Sequence, residues 1–396
     1  MKMLKVNGFM ASAVSADIRG KGDNRLDLGL IFAEGDNTMV SAVFTQNTVV
    51  APPVEICRER IGKGTARAVL VNSGNANCMT LLGGREDALR LSNRTAHLLE
   101  IPAECVLPCS TGVIGERLPV ESIEAALDPL VRDLAPDGLE RFSKAILTTD
   151  TVTKVAVEEV ALKDGKVRIV GIAKGAGMIA PDMATMLGFI LTDAEIGRYD
   201  LSFVLSNAVE DTFNSITIDG DMSTNDTVIL MASGKGPSVE RSDDLAMFGE
   251  AVHKVCATLA DMIVADGEGA TKVVNIKVIG ASDDDEAKRT ARAIAESLLV
   301  KTALAAADPN WGRIIAAAGY SGAAVNTSLI SLSIGEVKVL EAGGIVDGYD
   351  ETVAVKVMEQ DRYEIVLGIG EGTGSAVMKT CDLTEEYVRI NCEYRS

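Results

Sequence analysis

Histidine and tryptophan are scarce in this 396-residue chain, which has one tryptophan and only two histidines, His97 and His253. The seven cysteines are an odd number, and no two of them form a CxxC pair. Neither histidine has a cysteine at the spacing of a zinc finger. The sequence therefore predicts no metal site and predicts thiols that are reduced and mostly buried.

The chain also lacks a long uninterrupted apolar run. Near its start, Asn7, Gly8, Ser12 and Asp17 break up the apolar residues, so we expect no signal peptide, no membrane helix and a cytoplasmic protein. Basic residues number 38 against 57 acidic ones, a formal net charge of −19. This charge opposes binding to nucleic acid or to an anionic membrane, and it predicts small molecules or copies of the chain as partners.

What the sequence does contain is a mixture of strand and helix patterns, typical of an α+β fold with two or three cores. The first 75 residues predict strands joined by loops, with a tight turn at 72–77, and later strands are expected at 155–160, 166–172, 186–191, 274–278, 353–357 and 363–369. Helices are expected at 84–99, 120–134, 138–147, 201–208, 245–265 and 286–301.

Two glycine- and acid-containing stretches imitate known binding motifs. An EF-hand loop starting at Asp219 would need Gly where Thr224 stands and Glu where Leu230 stands. A dinucleotide motif starting at Gly368 would need Gly at Thr373. Neither pattern is complete, so the sequence predicts no calcium loop and no dinucleotide site.

The most informative stretch is KGAGMIAPDMATMLGFILT, from Lys174 to Thr192. A segment of small and bend-forming residues leads here into an apolar run of strand length, which places Thr185 at the first residue of a strand. If the bond between Ala184 and Thr185 were cut, Thr185 would carry both a hydroxyl and an α-amine. An amine with a pKa of about 8 can take the hydroxyl proton and activate the nucleophile. From these residues alone, a strand threonine that only packs is the more ordinary interpretation.

The run KGAGMIAPDMATML resembles the self-cleavage motif of the ornithine acetyltransferase family, also called glutamate N-acetyltransferases. Stretches similar to others of that family follow its order: NSGNAN at 72–77, STG at 110–112, DGEGATK at 266–272 and ADPNWGR at 307–313. The resemblance implies cleavage before Thr185. It also implies a segment 1–184 and a segment 185–396 that begins with the nucleophile.

The resemblance further implies roles for single residues. Thr111 and Gly112, on what the sequence predicts to be an exposed loop, would stabilise the oxyanion. Thr148, Lys174, Thr185, Glu268, Asn391 and Ser396 would contact the substrate, Glu268 through the substrate's amino group. Thr149 is an equally good candidate for the role of Thr148, because the sequence does not separate the two.

The reaction that the resemblance implies moves acetyl from N-acetylglutamate to ornithine through an acetyl-Thr185 intermediate, with no cofactor and with acetyl-CoA as a further donor in some members. The implied fold is a helix-sheet-sheet-helix sandwich similar to the N-terminal nucleophile hydrolases, with a smaller C-terminal α/β part. The implied assembly is a heterotetramer with two copies of each segment.

Two other functions fit parts of the sequence. An aminopeptidase or amidase of related fold would use the same nucleophile with water as the acceptor. A non-enzymatic acidic binding protein would leave the chain uncut. The residues that match substrate contacts (Glu268, Asn391 and Ser396) argue against the first, and the incomplete calcium loop argues against the second.

Overall fold

A computed structural model describes residues 4–62, 66–180 and 186–393. The strands in these ranges are β1 Phe9–Val14, β2 Leu28–Ala33, β3 Met39–Phe44, β4 Ala68–Asn75, β5 Val106–Val113, β6 Lys154–Leu162, β7 Gly165–Lys174, β8 Leu187–Thr192, β9 Ile216–Thr217, β10 Thr227–Ala232, β11 Val273–Ala281, β12 Ser331–Ile334, β13 Val337–Glu341, β14 Gly344–Ile345, β15 Arg362–Gly368 and β16 Gly374–Cys381. The helices are α1 Pro52–Ile61, α2 Leu81–Leu99, α3 Val120–Arg132, α4 Leu139–Ala145, α5 Arg198–Glu210, α6 Ser242–Ala265, α7 Asp284–Glu296, α8 Leu298–Ala305, α9 Trp311–Tyr320, α10 Glu351–Met358 and α11 Glu385–Glu393.

Two sheets lie face to face and form the centre of the fold. One has the strand order β1-β2-β4-β5 and the other β3-β10-β8-β7-β6. Because successive side chains of a strand point to opposite faces, each of these apolar strands supplies two cores. The core between the sheets includes Ile31, Val69, Leu107, Ile172, Phe189 and Ile229.

Helices cover the outer face of each sheet. Helices α2 and α3 pack on the first sheet through residues that include Leu91, Ile123 and Leu127. Helices α5 and α6 pack on the second through residues that include Leu205, Phe248 and Leu259. The expected helix-sheet-sheet-helix order is thereby confirmed.

The smaller C-terminal α/β part is also confirmed. A mixed sheet of order β14-β13-β12-β15-β11-β16-β9 carries helices α7 to α9 on an apolar core of its own. Strand β9 comes from the chain before α6 and pairs in parallel with β16, so it joins this sheet to the central sandwich.

Among the residues described, we find no helix with the length and apolar character that crossing a membrane requires.

Away from the paired ends of β4 and β5, three predictions of local structure were wrong. Residues 52–61 form helix α1, which the expectation of strands and loops did not include; Pro52 and Pro53 occupy its first turn, where a missing N–H is tolerated. The helix predicted for 286–301 is two helices, because Ser297 has extended backbone and caps α8 by accepting a hydrogen bond from the Val300 N–H.

The third error is the strand predicted for 353–357, which lies within helix α10. Asp350 caps this helix through the Thr352 N–H, and Ala354 and Met358, four residues apart, are its buried positions. The alternation of valines with other residues is therefore typical of a strand, although the segment is helical. The Asp350 cap and the i, i+4 spacing of the two buried residues are the features that indicate a helix.

Phe142 of α4 provides a test of the core between the sheets. Its ring is fully buried and packs edge-to-face on Phe189, with 5.3 Å between ring centroids. We expect Phe142→Ala to lower the free energy of unfolding by about 3–5 kcal/mol, because it leaves a cavity in a packed core. Urea denaturation measures the change, and Phe203→Ala, at a side chain that is 63% exposed on α5, is the matched control. Equal effects of the two substitutions would contradict the assignment of Phe142 to the core.

Candidate active site

A cavity of ≈180 Å³ lies where the central sandwich meets helix α11. Its lining comes from six separate parts of the chain: Thr111, Gly112, Thr148, Thr149, Gly177, Met178, Asp219, Asp221, Glu268, Tyr387 and Asn391. Five residues predicted from the sequence as site residues are therefore brought together here. We refer to this space as the acidic cavity, because three of its lining residues are carboxylic acids.

The predicted Thr-Gly pair lies on a strand and not on an exposed loop. Thr111 and Gly112 belong to β5, and Thr111 is only 6% exposed. The neighbouring 72–77 stretch is likewise no tight turn, because Asn72 to Asn75 end the buried strand β4, which pairs with β5. The sequence signal for loops failed here because short polar residues, which are typical of turns, occupy the paired ends of these two strands.

Gly112 explains why the pair needs a glycine. Its φ is 131°, and a Cβ atom added there would lie 2.3 Å from the carbonyl carbon of Gly74 on the neighbouring strand. No other residue fits this approach. The close pairing of the ends of β4 and β5 therefore fixes the backbone beside the cavity.

Lys174, at the end of β7, contacts the side chain of Thr111. Its side chain is buried, and its Nζ donates to Oγ1 of Thr111 at 3.3 Å. An ammonium group can only donate, so Thr111 uses an oxygen lone pair here and keeps its own hydroxyl proton for another acceptor. Thr111 is thus set up to donate a hydrogen bond.

A cluster of buried charges holds Lys174 in place. Burial lowers the pKa of Lys174, and the carboxylate of Asp150 offsets this only in part. Burial alone would raise the pKa of Asp150, but the ammonium groups of Lys174 and Lys154 lower it to about 2. Lys154 contacts Asp150 at 2.7 Å and Asp266 at 2.5 Å, and the side chains of Lys154 and Asp150 are fully buried. We call Lys154, Asp150, Lys174 and Asp266 the ion cluster.

Glu268 follows Asp266 on the turn after α6 and faces the cavity. Its Oε2 accepts a hydrogen bond of 2.7 Å from Nδ2 of Asn391, so two predicted contacts of the substrate touch each other. A Cβ atom on Gly177 would lie 2.6 Å from the Glu268 carboxyl group. The absence of a side chain at Gly177 therefore makes room for this carboxylate.

Asp219 and Tyr387 are cavity residues that the sequence did not identify. Asp219 accepts hydrogen bonds from the N–H groups of Met178 and Ile179 at 2.6 and 2.8 Å, and from the Tyr387 hydroxyl at 3.2 Å. Burial raises the pKa of Asp219, and burial beside Asp219 raises the pKa of Tyr387. The dense acids around Asp219 were a usable signal, whereas Tyr387 offered only its position one helical turn before Asn391.

Of the remaining predicted residues, some line the cavity and others lie outside the described ranges. Thr148 and Thr149 both line the cavity, so the choice between them stays open. Ala184, Thr185 and Ser396 lie outside the described residues. The nearest described neighbour of Thr185 is Met186, whose N–H donates to Oδ1 of Asp226 at 2.9 Å.

Comparison with known proteins identifies the family. The model of the ArgJ family matches residues 10–396. The chain belongs to the ArgJ family. The family predicted from the sequence motifs, and with it the prediction of a glutamate N-acetyltransferase, is thereby confirmed.

Two relatives resemble the chain over all or nearly all of its length, and a solved structure resembles about half of it. It is 44% identical over 403 residues to the arginine biosynthesis bifunctional protein ArgJ of Thermotoga neapolitana, covering 100% of both chains. It is 46% identical over 378 residues to the glutamate N-acetyltransferase of Methanopyrus kandleri, covering 94% of this chain and 96% of that one. A crystal structure of the arginine biosynthesis bifunctional protein argJ of Bacillus halodurans matches with 44% identity and a TM-score of 0.50, covering 52% of this chain and 98% of that one.

The ion cluster gives a prediction about stability. Asp150→Asn leaves two buried ammonium groups with one carboxylate, and we expect the free energy of unfolding at neutral pH to fall by about 3–5 kcal/mol. In the intact protein the pKa of Asp150 is about 2, below the value of about 3.9 for an unfolded chain. Its stabilisation is therefore complete above the unfolded value and is lost as the pH falls towards the folded one.

Urea denaturation as a function of pH measures both effects. Glu386→Gln is the control, because Glu386 forms an ion pair with Arg389 in which both side chains are about half exposed, and such pairs contribute little. A stability of Asp150→Asn equal to that of the control would contradict the role of the ion cluster.

Proposed function

We propose that the protein transfers an acetyl group from N-acetylglutamate to ornithine, giving glutamate and N-acetylornithine in arginine biosynthesis. The observation that carries this proposal is the meeting of Thr111, Gly112, Thr148, Glu268 and Asn391 in one cavity. The family resemblance assigns all five to one reaction, although they are scattered over the sequence. Their convergence supports that reaction more strongly than any one motif does.

The names of the relatives support the same conclusion. One relative, of 46% identity, is a glutamate N-acetyltransferase, and another, of 44% identity, is a bifunctional protein of arginine biosynthesis. The two similarities span 94% and 100% of this chain. We therefore infer the same reaction class for this chain.

In the first half of the reaction, Oγ of Thr185 attacks the acetyl carbonyl carbon while its proton passes to the α-amine of the same residue. The carbonyl π electrons move to oxygen, and the resulting oxyanion accepts hydrogen bonds from the Thr111 hydroxyl and from the backbone at Gly112. The carbon–nitrogen bond then breaks, and the proton held by the α-amine goes to the nitrogen of the leaving glutamate.

In the second half, the α-amine of ornithine attacks the acetyl-Thr185 ester. The same oxyanion contacts operate, the ester bond breaks, and Oγ recovers a proton from the attacking nitrogen. The two halves share one nucleophile, so glutamate leaves before ornithine reacts and the kinetics are ping-pong.

The acidic cavity suits an amino-acid acceptor. We assign Glu268 to the acceptor's amino group, since a partly exposed carboxylate beside Asn391 can pair with an ammonium. Thr148 or Thr149, Lys174, Asn391 and Ser396 are the further substrate contacts of the proposal. Acetyl-CoA as a second donor and the cytoplasm as the compartment stay predictions.

The proposal includes self-cleavage between Ala184 and Thr185. Segment 1–184 would supply β3, β6 and β7 of the second sheet, and segment 185–396 would supply β8 and β10. The main-chain hydrogen bonds of that sheet would hold the two segments together after cleavage. The matched Bacillus halodurans chain corresponds to 52% of this chain, which is close to the length of one such segment. A heterotetramer with two copies of each segment stays a prediction.

The nucleophile is tested by Thr185→Ala. We expect this variant to remain one chain and to produce no N-acetylornithine, because it has no hydroxyl to attack either carbonyl. Intact mass under denaturing conditions and an acetyl-transfer assay measure the two outcomes, and Thr185→Ser, which keeps a hydroxyl, is the control. Transfer activity in Thr185→Ala would refute the nucleophile. A wild type that hydrolyses N-acetylglutamate without forming N-acetylornithine would favour the amidase.

The oxyanion contact is tested by Thr111→Ala. We expect kcat for transfer to fall by about 100-fold to 1000-fold, as is typical for loss of one oxyanion donor. Thr111→Ser retains the hydroxyl and should keep most of the activity. Steady-state kinetics with both substrates measure this. An unchanged kcat in Thr111→Ala would remove Thr111 from the mechanism.

A further inference from the structure

Lys301 of helix α8 is a buried lysine that the mechanism above does not use. Only 1% of its surface is exposed. Its Nζ donates to Oγ1 of Thr380 at 3.0 Å and to the carbonyl oxygen of Cys381, and it lies 3.7 Å from Sγ of Cys381. Among the described residues no carboxylate forms an ion pair with it. A lysine is almost never fully buried without such a pairing, so Lys301 calls for an explanation.

The groups that Lys301 contacts carry no negative charge. Burial raises the pKa of the Cys381 thiol, so this thiol is uncharged at neutral pH. The next residue, Asp382, uses its carboxylate elsewhere: Oδ1 accepts the N–H groups of Thr271 and Lys272, and Oδ2 accepts the Thr271 hydroxyl. Charge neutralisation therefore does not account for the position of Lys301.

What Lys301 does is fix the segment 380–383, where the chain leaves β16 on its way to helix α11. Besides the two donations from its side chain, its carbonyl accepts the Leu383 N–H at 3.1 Å. Helix α8 is itself packed into the core of the C-terminal α/β part through Val300 and Leu304. Lys301 therefore ties the segment 380–383 to that core.

Cys381 connects this segment to the acidic cavity. Its Sγ lies 4.0 Å from the carbonyl oxygen of Ile218, which directly precedes the cavity residue Asp219. A Cβ atom on Gly267, which directly precedes the cavity residue Glu268, would lie 3.3 Å from the same sulfur. Cys381 therefore packs against both of the chain segments that bring these acids to the cavity.

The residues that follow in the chain hold the rest of the turn that carries Glu268. Asp382 accepts the N–H groups of residues 271 and 272 at 2.8 and 2.9 Å. Thr384 donates from Oγ1 to the Gly269 carbonyl at 2.7 Å. The position of the Glu268 turn thus depends on the segment that Lys301 fixes.

The oxyanion side of the cavity is held by other contacts. Thr111 accepts a hydrogen bond from Lys174 of the ion cluster, and Gly112 lies against Gly74 at the end of β4. Neither contact involves helix α8 or the segment 380–383. We therefore expect a change at Lys301 to displace the acids more than the groups of the proposed oxyanion site.

We propose that Lys301 is a positioning residue for the acceptor half of the reaction, acting through Cys381 on Glu268 and Asp219. This inference rests on the proposed function, in which Glu268 pairs with the amino group of the acceptor. Lys301 touches no substrate. It fixes the acids relative to the oxyanion groups, and an attacking amine depends on that relative position.

The test is the steady-state kinetics of Lys301→Met in the full-length protein, with both substrates varied. In ping-pong kinetics, kcat/KM for each substrate reports the half of the reaction in which that substrate takes part. We expect kcat/KM for ornithine to fall by about 10-fold to 100-fold, because a misplacement of about 1 Å costs up to about 100-fold in rate. The value for N-acetylglutamate should stay near that of the wild type. A smaller folded fraction would instead lower both values by the same factor.

Lys338→Met is the matched control. Lys338 lies on β13 of the same C-terminal α/β part, where its side chain is 64% exposed and pairs with Glu341 at 2.9 Å. This variant should keep both values of kcat/KM, because exposed ion pairs contribute little.

A second variant tests the connection through Cys381. Cys381→Ala retains the contacts of Lys301 with Thr380 and with the main chain of residue 381, but it removes the sulfur that lies between Gly267 and Ile218. We expect the same selective loss of kcat/KM for ornithine. If Lys301→Met does not fold, this variant decides the question on the same criterion.

Three outcomes would overturn the positioning role: equal losses for both substrates, a loss confined to N-acetylglutamate, or wild-type values for both. A selective loss in Lys301→Met without one in Cys381→Ala would overturn the connection through Cys381. A wild type that forms no N-acetylornithine from the two substrates would instead refute the proposed function, so the two failures are distinguishable.

Discussion

The site depends on the neutralisation of two lysines that the fold takes out of water. Lys154 and Lys174 are fully or almost fully buried, and Asp150 lies between them, with Asp266 on the far side of Lys154. Two ammonium groups and two carboxylates leave the ion cluster without net charge, which makes its burial tolerable. Because its members come from a turn, from the facing ends of β6 and β7 and from the end of α6, the cluster sets the relative positions of these elements.

The consequence for the site is a separation of charge. Lys174 of the ion cluster donates a hydrogen bond to the Thr111 hydroxyl, which lines the cavity. Asp266 of the same cluster lies two residues before Glu268, whose carboxylate also lines the cavity. Donors thus gather where an oxyanion would form, and acids gather where an amino group would bind. An acyl transfer to an amine requires both environments within one small space.

The sequence predicted much of the framework because strong periodicity and apolar runs leave few alternatives. Helix α6 and strands β7, β8 and β11 were expected within a few residues of their observed ends. The failures came from short segments: 353–357 alternates like a strand but is capped by Asp350, and 286–301 has helical periodicity but is divided at Ser297. In such short segments one capping hydrogen bond has more influence on the backbone than a weak periodicity of apolar residues. The periodicity gives no information about whether that hydrogen bond forms.

By itself the sequence determined the family and the layered α+β fold, and it predicted most of the proposed site residues, because the motifs that contain them are contiguous in the chain. Only the tertiary structure decided that Thr111 lies on a buried strand, that Glu268 touches Asn391 and that Asp219 and Tyr387 line the same cavity. These facts depend on contacts between residues that are distant in the chain. Burial and the pairing of charges arise from such contacts, so no local pattern of residues encodes them.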